Sequence, residues 1–148
     1  MISYQEELFK DIEQELSKIF PEHYAEVSST PEIPLDINYE SYKNIQANGN
    51  LVLTTCRKNS ELVGYTIFIV SPNIHNKGCL TAYEDLYYIR KQHRKGRIGI
   101  NLFKHAEEVL KQRGVKRIIL TTKVHLDNSK LFEYLDYSYF AKLYQKLI

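Results

Sequence analysis

The sequence of 148 residues has no tryptophan, only two cysteines and one methionine, and no Cys-x-x-Cys pair or Cys/His cluster. The two cysteines, Cys56 and Cys79, are far apart and lie in segments that read as strands. Two reduced thiols, not a disulfide, are the expected state in a cytosolic protein. Because ligand clusters are missing, we predict no structural zinc site and no bound metal.

Long apolar runs and a large charge of one sign are also missing. No apolar stretch approaches the roughly 20 residues that span a bilayer, and residues 1–14 are acidic and amphipathic, unlike a signal peptide. We therefore expect a cytoplasmic protein with no membrane partner. The formal net charge of +2 is too small to indicate a nucleic-acid-binding protein, so we expect no nucleic-acid partner.

The residues that are present match an ordinary globular protein, with 43% apolar and 26% charged residues. The sequence contains no internal repeat, no low-complexity segment and no boundary where its composition changes. A chain of this length buries a core of its own, so we predict a single domain over residues 1–148.

Hydrophobic periodicity and turn residues predict the order of the elements. Helices are predicted at residues 3–19, 39–47, 98–113 and 128–135, and strands at 50–56, 62–70, 80–89, 115–122 and 137–147. The first helix is expected to end at Phe20-Pro21, before a loop over residues 22–37. The first two strands form a hairpin, and the helix at 98–113 connects two parallel strands. The result is a mixed α+β fold: a mostly antiparallel sheet with one parallel strand pair and helices on both faces.

The most informative stretch is residues 85–114, which reads as a strand, a short basic loop and an amphipathic helix closed by Gly114. Residues 90–97 include five Lys or Arg residues and no acid. The unpaired N–H groups and the dipole of a helix N-terminus both favour an anion. The stretch therefore predicts a site for a phosphorylated ligand beside Arg94, Lys95 and Arg97.

This order of elements resembles the GNAT superfamily of acyl-CoA-dependent N-acetyltransferases, whose loop reads Arg/Gln-x-x-Gly-x-Gly/Ala. Arg94 and Gly99 match the first and last positions, while Arg97 stands where the first glycine is expected and Gly96 precedes it. Residues 131–137 are similar to the family's Leu-Tyr-Glu-Lys-Leu-Gly-Phe segment. Phe132 replaces the tyrosine that protonates the departing CoA thiolate in many members. The layout around Asp85 looks like a branch often encoded by phages and bacteria.

The resemblance implies a GNAT-like sheet whose parallel strands splay apart, with acetyl-CoA as the acyl donor. The backbone of the strand at 80–89 would bind the pantetheine arm, and the loop would bind the pyrophosphate. The cofactor-binding residues that it implies are Tyr88, Ile89, Arg94, Lys95, Gly96, Arg97, Ile98, Gly99 and Asn128. The acetyl group would pass directly to a primary amine of an unidentified small molecule or protein. A homodimer is a further expectation, because pairing through the final strands is common in the family.

The reaction needs a base, because an alkyl ammonium with a pKa of about 10 is not nucleophilic. Since side chains alternate along a strand, only one of Glu84 and Asp85 is expected to face the cleft, and Asp85 matches the suspected branch. His75, in the loop before that strand, is a second candidate base. Tyr144 is the candidate acid, although a thiol can also leave as thiolate. An acidic region should suit a cationic acceptor; its residues are Glu22, Glu26, Glu32, Asp36 and Glu40.

Two other interpretations stay open. The first is a non-catalytic module of the same fold that binds CoA or a protein partner, and Arg97 and Phe132 are the departures that favour it. The second is a small RNA- or DNA-binding domain that uses residues 91–97. That segment has no interleaved aromatic residues on which bases could stack, so this interpretation ranks last.

Overall fold

A computed structural model describes all of residues 1–148 and contains one five-stranded sheet in the order β1-β2-β3-β4-β5. Strands β1 to β4 pair antiparallel, and β5 runs parallel to β4. The elements are β1 (Ile2–Glu6), α1 (Phe9–Val27), α2 (Tyr39–Ala47), β2 (Leu51–Lys58), β3 (Glu61–Pro72), β4 (Leu80–Ile89), α3 (Ile98–Gln112), β5 (Arg117–Ile119) and α4 (Ser129–Tyr134). The predicted mixed α+β architecture is confirmed.

Helices cover both faces of the sheet, because the strand residues that point to each face are apolar. Leu51 and Leu53 of β2 face a core built with the apolar stripe of α1. Val52, between them, faces a second core that contains Phe103 and other residues of α3. Each face therefore holds its own helices, and the sheet lies between two apolar layers.

The hairpin between β2 and β3 has a tighter turn than the sequence predicts. Only Asn59 and Ser60 connect the strands, and both have positive φ angles of 50° and 74°. Two successive left-handed residues match the right-handed twist of the paired strands. The strands therefore extend to Lys58 and begin again at Glu61.

The predicted helix at residues 3–19 is wrong at its start. Residues Ile2–Glu6 form β1, an edge strand paired with β2. The helix begins at Phe9, after Leu8 in an extended conformation with φ −86° and ψ 134°. The apolar period that indicated a helix is real from Phe9 onward, but pairing with β2 decides the conformation of the residues before it.

The predicted end of this helix at Phe20-Pro21 is also wrong, because α1 continues through Pro21 to Val27. A proline inside a helix removes one backbone hydrogen bond and costs about 3 kcal/mol. Burial offsets this cost: Phe20 and His23, on either side of Pro21, are 3% and 4% exposed against the sheet. Residues 22–27 are therefore helical, and the loop that follows is shorter than predicted.

The predicted strand at residues 137–147 is absent. No backbone hydrogen bond involves a residue beyond Tyr137, and residues 138–148 are all exposed. The predicted strand at 115–122 is present but short, because β5 pairs with β4 over only three residues. The sheet therefore ends at β5, with one edge of this strand unpaired.

Candidate functional site

A cavity of about 370 Å³ lies where β4 and the chain after β5 separate. The two strands pair only at Thr81 with Arg117, Ala82 with Ile118 and Tyr83 with Ile119. Beyond these pairs, residues 84–89 of β4 form one wall and residues 121–128 the other. The C-terminal end of α1 closes the third side through His23, Glu26 and Val27. The volume suits part of an elongated ligand.

The N-terminus of α3 lies beside this cavity and carries free backbone donors. No side chain caps the helix, and its first backbone bond runs from Asn101 N–H to the Arg97 carbonyl at 2.9 Å. The N–H groups of Ile98, Gly99 and Ile100 therefore have no acceptor within the chain. Gly96, with φ 65°, turns the loop into the helix in a conformation that side chains rarely adopt. These donors, with the helix dipole, can bind an anionic group.

Arg94 reaches across the mouth of the cavity. Its Nε donates to the Ile89 carbonyl at 2.7 Å, and its Nη2 donates to Glu26 Oε1 at 2.6 Å. Lys91 also pairs with Glu26, at 3.3 Å. Burial favours protonation of Glu26, but the hydrogen bonds and charges of Arg94 and Lys91 outweigh it and hold the pKa of this carboxyl below its usual value. The loop and α1 are thus joined across the site by an ion pair.

Glu84 and Asp85 both line the cavity. Ile67 pairs with Leu86 and Phe68 with Glu84, so Asp85 is the extra residue of a β-bulge. The bulge interrupts the alternation of side chains. The side chains have different partners, Thr121 for Glu84 and Tyr42 for Asp85, and which of the two carboxylates faces the cleft stays a prediction.

The two carboxylates have different surroundings. Glu84 Oε1 accepts hydrogen bonds from the N–H and hydroxyl of Thr121 at 3.3 and 3.4 Å, while Oε2 is shielded from solvent and has no partner. Burial raises the pKa of Glu84 to about 7, although the bonds from Thr121 oppose the shift. Asp85 is exposed and accepts a hydrogen bond from the Tyr42 hydroxyl at 2.5 Å.

An aromatic cluster lies behind the end of α1, and sequence reasoning missed it. The His23 ring stacks on Tyr88 with centroids 4.4 Å apart, and its Nδ1 lies 2.7 Å from the buried Tyr65 hydroxyl. Burial lowers the pKa of His23 to about 4, so the ring is neutral at pH 7. The Tyr88 hydroxyl donates to Glu22 at 3.1 Å. The sequence does contain a signal for this cluster, because His23 continues the helical spacing of the buried residues Leu16 and Ile19.

The structure brings part of the predicted site together. Asp85, Tyr88, Ile89, Arg94 and Asn128 line the cavity. Lys95, Gly96, Arg97, Ile98 and Gly99 form the loop and first turn of α3 beside it.

The other predicted site residues lie elsewhere. His75 is exposed in the loop between β3 and β4, at the far end of β4, and Tyr144 is 89% exposed in the C-terminal segment. Phe132 is buried against Phe103, with ring centroids 5.7 Å apart.

No three or more His, Cys, Asp or Glu side chains are grouped to hold a metal ion. No helix combines the length and apolar content needed to cross a bilayer.

Solved structures with this fold come from several organisms. A predicted acetyltransferase from Clostridium acetobutylicum, crystallised with acetyl-CoA, is 17% identical with a TM-score of 0.75, over 99% of this chain and 96% of that one. A transcriptional regulator from Bacillus halodurans is 22% identical with a TM-score of 0.77, over all of both chains. A ribosomal-protein-alanine N-acetyltransferase from Brucella melitensis is 18% identical with a TM-score of 0.72, over 99% and 97%. At these identities the likeness shows the fold.

Curated proteins give no match to this sequence. A family model does match it. The model of the Acetyltransferase (GNAT) family matches residues 9–137, which span most of the chain and include the loop, α3, α4 and the cavity walls. The chain therefore belongs to the GNAT family of acetyltransferases.

Proposed function

We propose that this protein transfers the acetyl group of acetyl-CoA to a primary amine by direct attack in a ternary complex. The observation that carries the proposal is the cavity between β4 and the chain after β5, with the free N–H groups of α3 beside it. An elongated thioester can place its diphosphate at the helix N-terminus and its acyl group in the cavity. Family membership supports the same assignment.

Acetyl-CoA would bind along the edge of β4 that lines the cavity. The N–H groups of Ile98, Gly99 and Ile100 would bind the pyrophosphate together with Arg94, Lys95 and Arg97. The backbone of Tyr88 and Ile89 would bind the pantetheine arm, and Asn128 faces it from the opposite wall. Arg94 would exchange Glu26 for a phosphate oxygen, which accepts the same kind of charge-assisted hydrogen bond.

Glu84 is the base in this proposal. A carboxylate with a pKa of about 7 is matched to neutral pH, whereas an ordinary carboxylate is too weak a base. Its Oε2 has no partner, and a small rotation of the side chain toward the cavity would expose this oxygen so that it can accept a proton from the amine, directly or through water. The nitrogen would then attack the carbonyl carbon of the thioester. The C–S bond breaks and CoA leaves as thiolate, while the nitrogen, which now carries the acetyl group, loses its second proton to that thiolate or to water.

Asp85 has a different role in this proposal, because it is exposed and held by Tyr42. It would bind the cationic amine before the proton is lost. Glu26 is a second carboxylate on the same cavity, and Glu22 is tied to Tyr88 next to it. This acidic side supports a cationic acceptor.

No acid is needed for the leaving group, since a thiol of pKa about 8.5 leaves readily as thiolate. Phe132 occupies the position where many relatives have a tyrosine. Its side chain is packed under α3 and is only 8% exposed. The roles of His75 and Tyr144 stay predictions, because neither side chain lines the cavity. The donor site and the two carboxylates carry the proposal without them.

Calorimetric titration with acetyl-CoA tests the donor site. We expect binding that Arg94→Ala weakens at least tenfold, because a direct phosphate contact is lost. Lys77→Ala is the matched control: it also removes a cation, but from the exposed loop between β3 and β4. Equal affinity of the wild type and Arg94→Ala would contradict this use of the loop.

Release of free thiol with a panel of amines tests turnover. An enzyme consumes acetyl-CoA faster with an acceptor present, and mass spectrometry finds the acetylated amine. Binding without turnover on any mono-, di- or polyamine, amino sugar or peptide N-terminus favours the alternative of a non-catalytic CoA-binding module. The departures at Arg97 and Phe132 are what keep that alternative in consideration.

A further inference from the structure

The His23 ring is held firmly by its neighbours, but one of its two nitrogens has no partner in the chain. Its Nδ1 lies 2.7 Å from the Tyr65 hydroxyl oxygen, and the ring stacks on Tyr88 with 18° between the two planes. The side chain is 4% exposed. Nε2 makes no hydrogen bond, yet it is not shielded from solvent as His105 Nε2 is. Because His23 lines the cavity between β4 and residues 121–128, Nε2 is the atom that a ligand there would meet.

The Tyr65 hydroxyl decides which nitrogen of His23 carries the proton. Tyr65 is fully buried, and His23 Nδ1 is the only hydrogen-bond partner of its hydroxyl. If Nδ1–H donated to this oxygen, the hydroxyl hydrogen would be buried without an acceptor, which is costly. If the hydroxyl donates to Nδ1 instead, no buried hydrogen is left unpaired. Burial keeps the ring neutral at pH 7 by lowering its pKa, so its single proton is then on Nε2.

Nε2–H is the one hydrogen-bond donor that the side chains of α1 present to the cavity. The helix contributes three residues to the lining: His23, Glu26 and Val27. The Glu26 carboxyl has a pKa below its usual value, so it is ionised at pH 7 and only accepts hydrogen bonds, and Val27 is apolar. A ligand oxygen on this side of the cavity thus has His23 as its partner.

The position of His23 along the cavity indicates which part of acetyl-CoA it would contact. Tyr88, on which His23 stacks, belongs to the stretch of β4 whose backbone would bind the pantetheine arm. The guanidinium carbon of Arg94, which would bind the pyrophosphate, lies 5.2 Å from the centroid of the same ring. His23 is therefore close to the point where the pyrophosphate would join the arm. The arm is uncharged, and its amide carbonyls and hydroxyl group can accept a hydrogen bond from a neutral imidazole.

We propose that His23 is a specificity-determining residue, whose Nε2–H donates a hydrogen bond to an oxygen of the pantetheine arm. The cavity would then distinguish acetyl-CoA from an adenine nucleotide, which has phosphates but lacks the arm. Tyr65 is a positioning residue in this arrangement, because it acts only by fixing the proton on Nε2 of His23. This role rests on the proposed function, since it requires the arm to lie in this cavity.

Two-bond hydrogen–nitrogen correlation spectra of the labelled full chain, without ligand, test the tautomer. The chemical shift of each ring nitrogen depends on whether it carries the proton, and the signals missing from His23→Phe belong to His23. We expect the proton on Nε2. In Tyr65→Phe the bond that fixes the tautomer is gone, and the two nitrogens should share the proton. A wild-type His23 with its proton on Nδ1 overturns the proposal, and a proton that stays on Nε2 in Tyr65→Phe overturns the role of Tyr65.

Calorimetric titration of each variant with acetyl-CoA and with ADP tests the contact. His23→Phe keeps an aromatic ring on Tyr88 and removes the hydrogen-bond donor. We expect it to bind acetyl-CoA about five- to tenfold more weakly, as the loss of one hydrogen bond implies, and to bind ADP with unchanged affinity. His23→Gln, whose side-chain amide can place an N–H near the position of Nε2, should recover most of the loss.

Tyr65→Phe should weaken acetyl-CoA binding about twofold, because a tautomer that is right in half of the molecules halves the apparent affinity. It should have no further effect in the His23→Phe background. Tyr39→Phe is the matched control. It removes a hydroxyl from the same aromatic core, where Tyr39 packs on Phe20 with ring centroids 6.3 Å apart, but Tyr39 does not line the cavity. Its affinity for acetyl-CoA should equal that of the wild type.

The outcomes separate the role of His23 from the proposed function. No acetyl-CoA binding by the wild type would overturn both. Binding by the wild type with equal affinity in His23→Phe would overturn only the role of His23. So would an equal loss of affinity for ADP, because the substitution would then disturb the whole site instead of one contact with the arm.

Discussion

Adjacent carboxylates on β4 differ in chemistry because their surroundings differ. Glu84 and Asp85 both line the cavity, but Glu84 is shielded and bonded to Thr121, whereas Asp85 is exposed. The shielded group has a pKa of about 7 because burial favours its neutral form. This difference is the reason that we propose Glu84 as the base.

Replacement of the base should remove the pH dependence of turnover. In the wild type, kcat/KM should rise with pH through about 7 as Glu84 loses its proton, and then level off. Glu84→Gln should lower kcat about 100-fold or more and abolish this rise. Steady-state rates from pH 5.5 to 8.5 check both statements. A variant that keeps the rise near pH 7 would show that another group is the base.

Asp85→Asn serves as the matched control, because it neutralises the neighbouring carboxylate. We expect a raised KM for the amine, an unchanged affinity for acetyl-CoA and an intact rise in rate near pH 7. This outcome would separate holding the cation from accepting its proton. Loss of the pH rise in Asp85→Asn, but not in Glu84→Gln, would exchange the two roles.

The Arg94–Glu26 ion pair gives a second prediction. Glu26→Gln should make acetyl-CoA bind up to about fivefold more tightly, because Arg94 no longer gives up a charged partner to contact the phosphate. Glu40→Gln, which breaks a surface pair with Lys43 at 2.8 Å, should leave the affinity unchanged. Calorimetric titration measures both. Weaker binding by Glu26→Gln would mean instead that Glu26 positions Arg94 for the ligand.

Among the elements, the first turn of α3 is fixed by its contact with β4. A Cβ placed on Gly99 would lie 2.7 Å from the Tyr87 hydroxyl oxygen, closer than atoms pack. Phe103, one turn later, packs on the ring of Tyr87 with centroids 4.6 Å apart. The glycine at the end of the loop motif therefore permits close packing of the helix on the strand without displacing the Tyr87 hydroxyl.

This contact predicts a double-mutant cycle. Gly99→Ala should destabilise the protein by about 1 kcal/mol, because the added methyl group overpacks the contact and moves the helix or the ring. Tyr87→Phe removes the hydroxyl and should recover most of that loss in the double variant. Chemical denaturation of the four proteins measures the coupling. Additive effects would mean that the methyl group meets something other than this hydroxyl.

For the whole molecule, two buried titrating groups act on stability in opposite directions. The pKa of Glu84 is raised from 4.5 to about 7, so the folded protein retains a proton that the unfolded chain releases, and stability falls as pH rises through this window. The pKa of His23 is lowered from 6.5 to about 4, so stability falls as pH drops through that window. Between about pH 4.5 and 6.5 the two effects oppose each other.

Glu84→Gln should separate these contributions. At pH 8 the variant should be more stable than the wild type by on the order of 2 kcal/mol, since no buried charge remains at this position. At pH 4.5 the gain should be small, because Glu84 is then neutral in the folded protein. Thermal unfolding at the two pH values checks the difference. An equal gain at both would assign the effect to packing.

Much of the fold follows from local patterns. β4 and α3 are predicted to within one residue at each end and the strands of the β2–β3 hairpin to within two, because apolar period, turn residues and Gly114 agree there. The errors lie where distant contacts outweigh local preference. Pairing with β2 turns residues 2–6 into a strand, and burial of Phe20 and His23 carries α1 through Pro21. The C-terminal segment has a strand-forming composition but makes no backbone hydrogen bond to any strand.

The sequence by itself determined the family, the order of strand, basic loop and helix, and the positions of Arg94 and Gly99, because these depend on residue type and spacing along the chain. Only the tertiary structure decided which side chains meet. The hydrogen bond from Thr121 to Glu84, the ion pair between Arg94 and Glu26, and the stacking of His23 on Tyr88 each join residues from distant parts of the chain. Such contacts depend on strand register and helix packing, which no local pattern specifies.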